Sequence, residues 1–145
     1  MLQRVSSDDG YTKIGEPVEL LHNTPADGPD IEAPALVFHP GSGIYFLFYN
    51  SECFMSPRYR IEYATSKTLI GPYTRNPTPL LVSGETAAHV DRPGGIDFNA
   101  NGSLAVFHGD LDLNWFHGQG QSPREPNPRH VRSKYHDEWR QRTGP

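Results

Sequence analysis

The sequence repeats itself at a distance of sixty residues, and this repeat limits the fold more than any other feature of the chain. Leu20-Leu21 falls on Leu80-Leu81, Leu36 on Ile96, Phe38 on Phe98, Gly41 on Asn101 and Ile44 on Leu104. Tyr11-Thr12 echoes Tyr73-Thr74, two residues out of register. Each repeat contains a pair of leucines, a polar linker, a strand, a Gly-containing turn and a second strand. Ile44 to Asn50 is the clearest strand, with Ile44, Phe46 and Phe48 on one face and Tyr45, Leu47 and Tyr49 on the other. Both faces are apolar, so the pattern predicts a strand sandwiched between two sheets. Its partner, Ile31 to Phe38, is joined to it through "HPGSG", whose proline and glycines favour a tight reversal.

The remaining strands complete a count. Leu2 to Ser6 and Ile14 to Leu21 flank the turn-rich "SDDGYTK", a hairpin pattern. "YRIEYATS" reads as a further strand, and "LIGPY" as a turn into another that ends near "PLLV". Residues 1–21 then supply the last two strands of one four-stranded unit, residues 31–82 a whole unit, and residues 92–109 the first two strands of a third. A repeated four-stranded antiparallel unit is the pattern of a β-propeller blade, and a closed propeller has ~4–8 of them. The expected fold class is therefore all-β, a partial β-propeller of roughly two blades.

Composition agrees. Fourteen Gly and fourteen Pro in 145 residues favour turns over long helices. The formal charge is −4, but residues 118–145 carry +3, which leaves −7 for residues 1–117. The body thus has no basic face for nucleic acid, and no apolar run approaches membrane-spanning length. One cysteine, Cys53, excludes an intrachain disulfide and a Cys-based metal cluster. With no basic residue adjoining it, Cys53 is expected to be an inert buried thiol.

Residues 118–145 change character and are set apart from the propeller domain, 1–117. "GQGQSPREPNP" is a breaker-rich linker. After it Asn127 can cap a helix with Pro128 at its first position, and Val131, Tyr135 and Trp139 would form one stripe. A short helix and a disordered tail both fit this segment.

The run "DGPDIEAPALVFHPGSGIYFLFYNSECFMSPRYRIEYATSKTLIGPYTRNPTPLL", with "RPGGIDFNANGSLAVFHGD" after it, resembles glycoside hydrolase family 43 over about residues 2–110. The most specific stretches are "IEAP", "CFMSPRYRIEYATSKTLIGPYT" and "PGG…VFHGD". The resemblance implies the C-terminal portion of a five-bladed propeller enzyme acting on arabinan, arabinoxylan or xylan, that is, on plant cell-wall polysaccharide or its oligosaccharides. It implies an inverting mechanism run by three carboxylates and requiring no cofactor. Glu32 matches the general acid. The matching aspartates, a base and a residue that tunes the acid, would lie on two blades preceding Met1. His108 matches a histidine near the propeller axis, often beside a water-coordinated calcium. After Asp110 the family pattern is lost.

The residues themselves leave alternatives open. Inversion needs two carboxyls roughly 6.5–9.5 Å apart, one of them protonated. Glu32 at a strand entrance reads from the residues alone as a solvated strand-entry residue, and with the resemblance as the acid. Asp30 lies on the same side of the chain and would at most tune it. Asp91, Asp97 and Asp110 belong to the next blade, where turn and solvation roles compete with a base. No competent base is expected in this chain. Phe54 and Met55 in the "CFMSP" loop suit either an apolar platform under a sugar or simple packing, and His108 either the axial role or a place in the core. The seven histidines lack metalloprotease spacing, so no zinc site is expected. Two functions follow: a glycoside hydrolase or truncated member of that family, and a non-catalytic carbohydrate-binding remnant. Open sheet edges would favour self-association. The family is usually secreted, yet "MLQRVSSDDG" lacks the core of a signal peptide, so the sequence assigns no compartment.

Overall fold

The computed structural model of the chain describes residues 1–85, 90–100 and 102–111. The helix-or-disorder expectation for residues 118–145 and the match of Asn101 to Gly41 lie outside the described residues. Among these, six strands follow one 3-10 turn, Pro25–Asp27. They are β1 (Ile31–His39), β2 (Ile44–Ser51), β3 (Arg60–Ser66), β4 (Thr74–Arg75), β5 (Asp91–Phe98) and β6 (Ala105–Asp110). β1 to β4 form one antiparallel sheet in chain order, and β5 with β6 a second. The fold is all-β, one complete blade and the first half of the next, as the repeat requires.

Local chemistry explains each join. Between β1 and β2 the Gly43 amide donates to the His39 carbonyl at 2.9 Å. Gly43 has φ +66, a left-handed conformation that a side chain would strain. The Leu2–Val18 hairpin also forms, but only through isolated bridges at Leu2–Val18 and Val5–Lys13. Its turn is built on Asp9, whose carboxylate accepts from the Tyr11 and Thr12 amides at 3.0 and 2.9 Å. The fourth strand is divided. Thr74 and Arg75 pair with β3, Pro77 and Pro79 lack amide protons, and pairing resumes where the Leu80 amide donates to the Ile61 carbonyl at 2.8 Å.

The core lies between the sheets. Phe48, Ile61, Leu81 and Ile96 are buried together, with Val37, Phe46, Tyr63, Phe98 and Phe107 packed against them. Rings of Phe48 and Phe98 meet at 4.5 Å, which docks β5 on the first sheet. β2 is buried on both faces over Leu47–Asn50, as expected, and among the described residues the second sheet lies on one of them. Its Phe46/Phe48 face meets β5, whereas Tyr49 on the other face meets the Arg75 guanidinium, 5.3 Å from its ring centre. On β1, Leu36 and Phe38 remain 37% and 46% exposed.

The first strand of each blade carries the same irregularity. Glu32 pairs with Asn50 and Ala35 with Phe48, so β1 holds an extra residue there. Asp91 pairs with Asp110 and Gly94 with His108, which gives β5 the same bulge. Ala33 (φ 49) and Arg92 (φ 50) are the left-handed residues of the two bulges, and a proline follows each. The bulges align Glu32-Ala33-Pro34 with Asp91-Arg92-Pro93 at a spacing one residue short of sixty. A second register shift in β5, between Gly94 and Asp97, restores the difference.

Candidate functional site

Glu32 opens β1 just before the bulge, and its side chain is exposed. The Tyr59 hydroxyl donates to Glu32 Oε1 at 2.6 Å. Tyr59 itself is only 3% exposed. Successive turns bring it there: the Ser56 amide donates to the Cys53 carbonyl at 2.7 Å, and the Tyr59 amide to the Ser56 carbonyl at 3.0 Å. Burial raises the Tyr59 phenol well above its usual pKa, and the hydrogen-bonded Glu32 carboxylate raises it further. The hydroxyl therefore remains a donor throughout the range in which a carboxyl titrates.

Asn50, the register partner of Glu32, fastens the two blades at this point. It is fully buried. Its Nδ2 donates to the carbonyls of Arg60 at 3.2 Å and Pro93 at 3.1 Å, and its Oδ1 accepts from the Gly95 amide at 2.9 Å. All its hydrogen-bonding capacity toward β3 and β5 is used, as a buried amide requires. Gly94 fills the remaining gap. A Cβ there would lie 2.5 Å from Tyr59 Cε1, 2.9 Å from His108 Nε2 and 3.1 Å from Asn50 Nδ2. Glycine at this position lets β2, β6 and the loop before β3 converge beside Glu32.

The other residues singled out from the sequence fall around this cluster. The His108 ring rests against Gly94 and Gly95, and the residue is exposed rather than part of the core. Phe54 and Met55 are 63% and 60% exposed, on the loop whose end delivers Tyr59. They do not pack beneath the loop. Cys53 is half-buried, not buried as expected, because it begins the exposed turn at 53–58. Asp30 is exposed ahead of β1, and Asp110 is ion-paired with Arg92 at 2.5 Å. Among the described residues, no group of three or more His, Cys, Asp or Glu could hold a metal ion.

A second polar cluster, behind β2, holds the approach to Glu32 in place. Asp27 is 2% exposed and accepts from Arg75 Nη1 at 2.5 Å and from the Thr24 amide at 2.7 Å. The Glu52 amide donates to the Asp27 carbonyl at 2.7 Å. Glu62 accepts from Tyr49 and Ser51 hydroxyls, each at 3.0 Å, and from Arg60. Burial, with the Glu62 carboxylate beside it, raises the Tyr49 phenol. Sequence reasoning missed Tyr59, Asn50 and Asp27, because nothing in a one-dimensional pattern marks partners 27, 43 and 48 residues distant. The signal it could have used is the acid-x-Pro triplet, repeated as Glu32-Ala33-Pro34 and Asp91-Arg92-Pro93.

Known structures share part of this fold. A thermostable family-43 glycoside hydrolase is 25% identical in sequence, with a TM-score of 0.58, over 72% of this chain and 35% of its own. The chain has part of the fold of a family-43 glycoside hydrolase. It spans about a third of the length of that family-43 structure. An endo-arabinase from Bacteroides thetaiotaomicron matches 73% of this chain and 39% of its own, with a TM-score of 0.51; at 19% identity it bears on the fold alone. No protein-family model and no curated protein matches the sequence. The family-43 resemblance read from "IEAP" and "VFHGD" is therefore matched by a family-43 structure.

Proposed function

We propose that this chain carries the acid half of a glycoside hydrolase site, cleaving arabinofuranosyl or xylosyl linkages of plant cell-wall polysaccharide with inversion. Glu32 is the general acid. The glycosidic C–O bond breaks with its electron pair moving to the oxygen, which takes the Glu32 proton. Water adds to the anomeric carbon and loses a proton to a carboxylate base, which the family resemblance puts on another blade. The observation that carries the reading is the placement of Glu32: an exposed carboxylate at the head of β1, displaced by a bulge and held by a buried hydroxyl. The family-43 fold supports it.

A second reading has its own support. Among the described residues, Glu32 hydrogen-bonds only to Tyr59, with no carboxylate partner, while Phe54 and Met55 stand exposed on the loop that leads to Tyr59. That combination suits a module that binds sugar without turnover. Assaying the chain on aryl arabinofuranosides and xylosides beside Glu32→Gln separates the two. Hydrolysis that falls by ~10²–10⁴ in the variant supports the acid role. Binding of arabino- or xylo-oligosaccharide by calorimetry, with no hydrolysis by either protein, supports the module instead.

A further inference from the structure

Tyr59 and Glu32 differ sharply in freedom. The tyrosine is 3% exposed, its ring lies against Gly94 so closely that a methyl group would not fit, and two consecutive turns fix its backbone. Glu32 is an exposed side chain beside a bulge. When a buried donor on a fixed backbone meets an exposed acceptor at 2.6 Å, the donor sets the geometry. A neutral tyrosine brings one proton, and here it goes to Oε1.

We propose that Tyr59 is the positioning residue of the acid: its hydroxyl occupies Oε1 and leaves Oε2 as the oxygen that carries the proton to the leaving group. This rests on Glu32 acting as the general acid, the reading given above. The bond balance is that of the reaction already written; Tyr59 gives up no proton and changes only which carboxyl oxygen is free. Burial of the phenol and the adjacent carboxylate keep it protonated, as this role demands.

Two measurements on the full chain test this. In protein labelled at tyrosine 13Cζ, with Tyr59→Phe identifying the resonance, the Tyr59 signal should show a pH-dependent step. That step should vanish in Glu32→Gln. A Tyr59 signal indifferent to Glu32 overturns the proposal whether or not the chain turns over substrate. The second measurement is leaving-group dependence. Tyr59→Phe should lower kcat/KM about tenfold or more for oligosaccharides, whose departing alcohol needs a proton, and under about threefold for 2,4-dinitrophenyl glycosides, which do not. Equal losses on both substrates mean a structural role only, and overturn it. If the wild type hydrolyses neither, the glycosidase reading fails, and the acid-positioning role fails with it. An NMR step present under those conditions would then assign the Tyr59–Glu32 contact to fixing Glu32 in a binding site.

Discussion

Gly94 admits nothing larger than hydrogen, and three side chains from three elements depend on that. Tyr59, His108 and Asn50 all lie within 3.1 Å of where its Cβ would stand. Two of them cannot retreat easily: Asn50 is bonded on three sides, and the turns before Tyr59 fix its backbone. Gly94→Ala is therefore expected to destabilise the chain by about 1–3 kcal/mol through overpacking. Urea unfolding at neutral pH measures it, and a loss under a few tenths of a kcal/mol would mean that the convergence is looser than described. At this scale the sequence was only partly legible. "RPGG" marks a place where the backbone is closely approached, but what approaches it is a tyrosine 35 positions earlier and a histidine on the neighbouring strand. Similarly, "IEAP" presents an acid, while the hydroxyl that holds it comes from "SPRY", a stretch with no chemical motif.

Among the elements, the strands follow from alternation and turn chemistry. β1, β2, β3, β5 and β6 fall within a residue or two of the pattern, because period-two hydrophobicity and Gly/Pro punctuation are local properties. The bulges are not local. A left-handed alanine at 33 and arginine at 92 are costly in isolation, and persist because pairing on both sides fixes the register. The 3-10 turn at Pro25–Asp27 has the same dependence. Its capping box with Thr24 is readable in "TPAD", but its tie to β4 through Arg75 is not. Asp27→Ala removes a carboxylate that is 2% exposed and leaves Arg75 partly buried and unmatched. Thermal or chemical unfolding should record a loss of about 3 kcal/mol. Arg75→Met, which removes the charge and keeps the stem, should cost more in the otherwise native chain, where it orphans the buried Asp27, than in Asp27→Ala, where it removes the unmatched charge.

Taken together, the described residues leave apolar side chains exposed on their outer strands and first hairpin. Leu36 and Phe38 of β1, Leu104 before β6 and Val106 within it are exposed, and so are Val5 and Val18 of the first hairpin. Within the described residues, β1 and β6 are outer strands of their sheets. Such edges with apolar faces favour association. Sedimentation velocity should find a mass that rises with concentration between micromolar and tens of micromolar, and Phe38→Lys with Val106→Lys should shift it toward monomer. A concentration-independent monomer would count against open-edge pairing.

The sequence by itself determined the strands, the blade unit, its partial count and the family-43 character of "IEAP" and "VFHGD", because these rest on periodicity, turn residues and short contiguous motifs. Only the tertiary structure decided which residues meet Glu32. Docking β5 on the first sheet through Phe48 and Phe98 brings Asn50 and Gly94 together, and that contact seats Tyr59 beneath the carboxylate. The site is a product of blade-to-blade packing. Its partners are set by which faces bury against one another, and that is a property of the folded chain rather than of any stretch of it.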